Sequence, residues 1–242
     1  MKNAIILAAG LGKRLNSISG SKPKCLFEIE GKPVLFYTLK KLIQQDYDKI
    51  CIVTGYNSNL IENYVKSNFP EVKIVFNDKY LSYGNFESLK LGIKSFGKIH
   101  QATVLDADLL FEIGILDKID VTRNVILSSR IKLNHDPVYI SIGNDKIIFL
   151  SKDSQNKLET NSEYIGIFNI NQDNIRSITE LDYITTFDYE QVFHVNKLDF
   201  NQLDVSEFNW FELDDQIHLD TINSLPTEIK AKIFNLDAQY KK

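Results

Sequence analysis

Sulfur is scarce in this 242-residue sequence, which has two cysteines, Cys25 and Cys51, and one methionine. The two cysteines fall in no metal-ligating or redox spacing, which excludes a thiolate metal site and reads them as reduced thiols of a cytoplasmic protein. Long apolar runs are lacking at the start of the chain. Ala4–Ala9 is apolar for six residues only, too short to span a bilayer and without a cleavage context, so the expectation is a protein neither secreted nor anchored, with no membrane partner. An excess of positive charge is also missing. A net charge of −4 argues against nucleic acid as a partner, which calls for a strongly basic face. There are four histidines, His100, His135, His194 and His218, scattered along the chain and read as structural or surface residues. No low-complexity segment or internal repeat interrupts the sequence.

What is present is an ordinary globular composition, 43% hydrophobic and 25% charged, long enough for one domain with a substantial core. The first hundred residues alternate two periodicities. Strand-like runs at Ala4–Ala9, Lys49–Thr54, Val72–Phe76 and Ala102–Leu105 are separated by helical patterns after Pro33, at Asn57–Ser67 and at Asn85–Phe96. That alternation predicts an α/β, three-layer, Rossmann-like fold with a mostly parallel sheet. Ligands on such sheets bind outside the carboxyl ends of the strands, which gathers residues 10–14, 54–56, 77–83 and 106–108 around one mouth. The second half changes character. Short strand-like runs at Val125–Ile131, Val138–Ile142 and Lys146–Leu150 predict added β-hairpin elements. A strand is expected at Glu163–Ile170, a helix over Glu190–Val195, a late strand at Phe208–Leu213 and a terminal helix after Leu225. The reading is a single domain over 1–242, in two halves at 1–110 and 111–225 with a C-terminal helix at 226–242.

The stretch AIILAAGLGKRL runs a buried strand into Gly10 and Gly12, which permit a tight turn and close backbone approach to an anion. A P-loop is excluded because Leu15 stands where its second glycine belongs, and a dinucleotide fingerprint fails at the same residue. What remains is G-x-G-x-R with a downstream Pro23-Lys24. Residues 1–24 hold five Lys or Arg and no acid. Arg14 offers a planar fork and Lys24 a compact charge, complementary grips on a polyphosphate. On the loop alone, solvated charges beside a tight turn stay open as the alternative.

The acids decide between them. Asp106 and Asp108 end a strand, where a carboxylate can hold Mg²⁺ against phosphate oxygens. Residues 198–229 carry eight acids and no Lys or Arg, and Glu212 and Asp214 alternate behind the apolar run FNWF so that both face one way.

These segments, LAAGLGKRL with KPK, the strand-ending DAD and the late WFELDD, resemble the nucleotidyltransferase superfamily that makes nucleoside-diphosphate conjugates. FNDKYLSYGNFESL is similar to a segment of its CTP:phosphocholine cytidylyltransferase-like group, which includes enzymes acting on 2-aminoethylphosphonate and phosphoglutamine. The resemblance covers roughly residues 2–110 well and the remainder patchily. It implies that Leu7, Ala8, Ala9 and Gly10 line the nucleotide with backbone groups, joined by Gly12 and Lys13. It implies that Arg14 binds the β- and γ-phosphates and that Lys24 bridges the α-phosphate and the acceptor. Asn85 and Ser88 fall where the family holds base and ribose. Asp108, Glu212 and Asp214 fall where it holds Mg²⁺, with Asp106 behind them. The implied reaction is transfer of CMP from CTP to a small phospho- or phosphono-acceptor, with release of pyrophosphate, for surface-glycan (capsule or lipopolysaccharide) decoration. A sugar-1-phosphate nucleotidyltransferase using UTP or dTTP and a non-catalytic nucleotide-binding protein are the alternatives, and monomer or homodimer stays open. The acceptor pocket is expected from Arg130, Asp136, Asp188, Tyr189 and Glu190. The choline enzymes carry a tryptophan near the position of Tyr189, whereas the only tryptophan here is Trp210, which favours an amino-bearing acceptor over choline.

Overall fold

The computed structural model describes residues 1–12, 14, 22–130, 137–143, 146–151, 162–181 and 188–234. Strand β1 (Lys2–Ala8) leads through a 3₁₀ turn (Lys24–Leu26) and the short pair β2 (Glu28–Ile29) and β3 (Lys32–Pro33) into α1 (Val34–Gln44). Then follow β4 (Tyr47–Thr54), α2 (Ser58–Asn68), β5 (Lys73–Phe76), α3 (Asn85–Ser95), β6 (Gln101–Asp106), β7 (Leu109–Phe111) and α4 (Gly114–Asp117). The second half contains β8 (Val125–Ser129), β9 (Tyr139–Gly143), β10 (Lys146–Ser151), β11 (Ser162–Asn171), α5 (Gln172–Glu180) and α6 (Tyr189–Val195). It ends with β12 (Asn201–Asp204), β13 (Trp210–Glu212), α7 (Gln216–Asn223) and α8 (Thr227–Phe234). None of the helices among the described residues is long and apolar enough to cross a membrane.

The main sheet has the order β5-β4-β1-β6-β11-β8-β12-β10-β9. Its first four strands are parallel, as continuous apolar runs joined by helical crossovers require. From β11 onward the pairing is antiparallel except for β8 with β12. Strand β9 returns to the start of β11, pairing Glu163 with Tyr139, so this half of the sheet closes on itself.

Alternation along β1 divides the core. Ala4, Ile6 and Ala8 pack against α1 and α2, through Leu35, Leu39, Ile61 and Val65. Ile5 and Leu7 face α3, α5 and α6, through Phe86, Leu89, Ile178, Val192 and Phe193. The sheet thus lies between two helical layers. Helices α7 and α8 cover a third apolar cluster beside α1 that includes Tyr37, Leu110, Phe211 and Ile222.

Two features position the site. The parallel strands β4 and β6 lie on either side of β1, so the order in which strands are added reverses there and a crevice opens at the carboxyl end of β1. The separate ribbon β7–β13, with Glu212 opposite Leu109, brings the late acids to the strand-ending aspartates, and the Leu213 N–H donates to the Asp108 carbonyl at 2.9 Å.

Candidate active site

A cleft of about 440 Å³ opens at that crevice. Leu7, Ala8, Ala9, Gly10 and Gly12 form one lip, continued by Arg14 and Lys24. A Cβ added to Gly10 would meet nothing within 4 Å, so the turn leaves room for a group lying on its backbone. Gly12, at φ +57°, is packed against the Lys24 stem and sets where that side chain runs.

Asp108, Glu212 and Asp214 converge, their nearest oxygens all within 4.8 Å of one another. The Lys24 ammonium donates to Asp214 and lies 3.4 Å from Asp108. Arg14 reaches the second Asp214 oxygen at 2.7 Å. Electrostatics then separate the three acids. Burial works against ionisation of Asp214, but Lys24 and Arg14 outweigh it and hold the carboxyl below its usual range. Burial, with Asp108 and Asp214 as negative neighbours, pushes Glu212 well above its usual range. Burial likewise raises Asp108, against the pull of Lys24. Lys24 is itself held above its ordinary value, because Asp108 and Asp214 more than offset its desolvation. Among the described residues, seven carboxylic acids line the cleft with two cations, Arg14 and Lys24. The oxygen-only trio fits a hard divalent cation, which is commonly held by one or two carboxylates together with substrate phosphates.

The opposite wall comes from the second half. Glu163 and Tyr164 on β11 and Asp188 and Glu190 at the start of α6 line it. The Tyr189 hydroxyl donates to Asp106 at 2.8 Å and lies 3.0 Å from the Tyr164 hydroxyl. Burial first, then Asp108 and Glu190, lift Asp106 well above the ordinary carboxylate range. Cys25 also lines the cleft, but burial pushes its thiol up to about 12, so it presents no thiolate nucleophile.

Of the residues read from the sequence, Leu7, Ala8, Ala9, Gly10, Gly12, Arg14, Lys24, Asn85, Ser88, Asp106, Asp108, Asp188, Glu190, Glu212 and Asp214 share this one cleft. Lys13 and Asp136 lie outside the described residues. Two expected acceptor residues stand apart. Tyr189 is 1% exposed, its ring packed among Phe168 and Phe193 beneath the wall. Arg130 is drawn to Asp204 at 3.1 Å, because β8 and β12 end side by side in parallel register. Asn77, Tyr80, Glu163, Tyr164 and Gly166 line the cleft as well. The strand-end rule places Asn77 and Tyr80 at the mouth, but Glu163–Ile170 reads only as a strand, with no sign of a site. His218, read as merely structural, accepts the Asp214 N–H through Nδ1 at 3.2 Å and so braces that carboxylate's backbone.

Comparison with known proteins defines the class. Residues 3–125 match the family described as nucleotidyl transferase, and the chain belongs to that family. Its relatives include the bifunctional protein GlmU of Methanococcus maripaludis, 34% identical over 74% of this chain and 42% of that protein. The choline-phosphate cytidylyltransferase of Streptococcus pneumoniae is 38% identical over 52% of each chain. The matches therefore span about half the length of these relatives. The inositol-1-phosphate CTP transferase from T. maritima superposes with a TM-score of 0.81 over 100% of this chain and 98% of that one. At 18% identity this likeness speaks to the fold.

Proposed function

We propose that the protein transfers CMP from CTP to an anionic oxygen of a small phosphate, phosphonate or phosphoramidate acceptor that carries a cationic head group, releasing pyrophosphate. The observation that carries this reading is the charge pattern of the cleft. Arg14, Lys24 and the carboxylate trio stand at one end, and Glu163 and Glu190 stand at the other with no further Lys or Arg among the described lining residues. The cytidylyltransferase among the relatives supports cytidine as the nucleoside.

In this reading the acceptor oxygen attacks the α-phosphorus, a new P–O bond forms, and the bond to the β-phosphate oxygen breaks. A phosphate monoester is largely dianionic near neutrality, its second pKa being about 6, so no side chain need remove a proton. Arg14 grips the β- and γ-phosphates, and Lys24 orients the α-phosphate toward the acceptor. Asp108, Glu212 and Asp214 would hold Mg²⁺, which supplies neutralisation of the triphosphate charge. The rate then comes from alignment and charge stabilisation. Glu163 and Glu190 accept hydrogen bonds from an ammonium head group. This favours 2-aminoethylphosphonate or phosphoglutamine over phosphocholine, whose quaternary ammonium donates none and calls for an aromatic cage.

The test mixes the protein with CTP, Mg²⁺ and each of the three acceptors and follows pyrophosphate and the CDP-linked product. Transfer that needs Mg²⁺ and disappears in Asp108→Asn is expected. Equal turnover with UTP, or turnover only with sugar 1-phosphates, would replace this reading with the sugar-nucleotide one.

A further inference from the structure

The cleft wall holds a bridge between two helix starts that are distant in the sequence. Helix α3 begins after Gly84, which has no side chain to cap the exposed N–H groups of the first turn. The cap comes from elsewhere: the Asn85 N–H donates to Asp188 Oδ1 at 3.3 Å. In return the Tyr189 N–H, at the start of α6, donates to Asn85 Oδ1 at 2.7 Å. Each helix start thus satisfies an orphan donor of the other. The reciprocity also relieves an electrostatic conflict, because two helix N-termini carry like partial charge and repel at close range. Further bonds anchor α6 at the same point, where the Asp188 side chain also accepts the backbone N–H of Gln191 in a capping box of its own helix. Gln191 reaches back to the Asp188 N–H at 3.2 Å, and the Tyr189 hydroxyl is held by Asp106 at 2.8 Å.

Glu190 follows in the same turn and faces the cleft. The bonds of Asn85 and Asp188 link its turn to the start of α3. We propose that Asn85 and Asp188 form a clasp that registers the acceptor wall against the nucleotide helix. Asp188 then serves as a positioning residue, through its hydrogen-bond-accepting oxygen and not through its charge. The inference rests on the cytidylyl-transfer reading for what the wall binds, and on geometry alone for the clasp.

Charge and acceptor capacity separate in one substitution. Asp188→Asn keeps an oxygen for the Asn85 N–H and removes the charge, whereas Asp188→Ala removes both. In steady-state assays of the full chain with CTP, Mg²⁺ and its best acceptor, Asp188→Ala is expected to raise the acceptor KM about fivefold to tenfold, the equivalent of one lost cap. The kcat should change far less, and Asp188→Asn should restore the KM. Asn85→Ala leaves the capping box of α6 in place and should raise the same KM, and the double variant should be no worse than the worse single one, as for partners in one interaction. An unchanged KM in Asn85→Ala would leave Asp188 as the cap of its own helix only and overturn the clasp. Asp188→Asn as impaired as Asp188→Ala would make Asp188 a charge read by the acceptor and overturn the clasp. An unchanged KM in Asp188→Ala would overturn it too. If the parent transfers CMP to no acceptor, the functional reading fails separately. Amide hydrogen exchange of the ligand-free protein then decides, with faster exchange at Asn85 and Tyr189 expected in Asp188→Ala but not in Asp188→Asn, and equal exchange in all three overturning the clasp.

Discussion

Lys24 stands where the charges of the site meet. Its ammonium is shared between Asp108 and Asp214, and it lies on the lip beside the turn after β1. A cation held between two carboxylates is already oriented, so little reorganisation is needed when charge redistributes over a transferring phosphoryl group. Lys24→Ala is expected to lower turnover by about two to four orders of magnitude while the protein stays folded. Circular dichroism and single-turnover kinetics on one preparation check both halves. A folded variant with parental turnover would remove Lys24 from the chemistry. Lys24 and Arg14 could be singled out from the sequence because a glycine turn followed by Arg and Pro-Lys resembles a family motif, and both line the cleft. Glu163 could not: it is buried in β11 yet lines the cleft, and nothing in a strand sequence says which buried residue will border a cavity.

At the scale of elements, the site depends on two irregularities. The ribbon β7–β13 has a register that sets Glu212 opposite Leu109, and a slip by one residue would turn Glu212 away from Asp108. In β11 the pairing with β8 shifts between Tyr164 and Phe168, and Gly166 sits there at φ +80°. Such a bulge bends the strand and re-aims its side chains, and Tyr164 enters the cleft wall just before it. A Cβ at Gly166 would lie 2.9 Å from Leu109 Cδ1 and 3.2 Å from Asp106 Oδ2. Gly166→Ala is therefore expected to destabilise the fold by about 1–3 kcal/mol through left-handed strain and crowding. It should also raise the acceptor KM, because Asp106, Tyr189 and Tyr164 form one hydrogen-bonded chain. Chemical denaturation and acceptor kinetics measure the two effects. Unchanged stability would mean the bulge relaxes freely around the new methyl group.

For the molecule as a whole, the buried Lys41 makes one contribution to how stability varies with pH. It lies on α1, 1% exposed, with Nζ 4.8 Å from the centre of the Phe111 ring and no hydrogen-bond partner among the described residues. Burial lowers its pKa from 10.5 to about 7, against a small opposing pull from Glu112. Between about 7 and 10.5 the unfolded chain holds a proton that the folded chain lacks, so the contribution of Lys41 to stability rises with pH through that window and is level below it. Lys41→Met should remove that slope and stabilise the protein at pH 7 by roughly 2–4 kcal/mol, the order seen when a buried charge gives way to apolar packing. Thermal unfolding of both proteins at pH 7 and pH 10 checks it. A Met variant with the parental slope would assign the pH dependence to other groups.

The sequence by itself determined the parallel half of the sheet, the turn after β1 and the two acid clusters, because these are local matters. Apolar periodicity, glycine after a strand and carboxylates at a strand end each act within a few residues. It left α5, α7 and β12 unread, since those segments are polar on their outer faces and owe their order to the layers beneath them. Only the tertiary structure decided that Asp108 meets Asp214 and that Arg130 goes to Asp204. It alone decided that Asn85 and Asp188 cap one another. The reason is physical: a side chain takes the nearest complementary partner in space, and that partner is chosen by strand register and helix placement, which depend on the whole packed core.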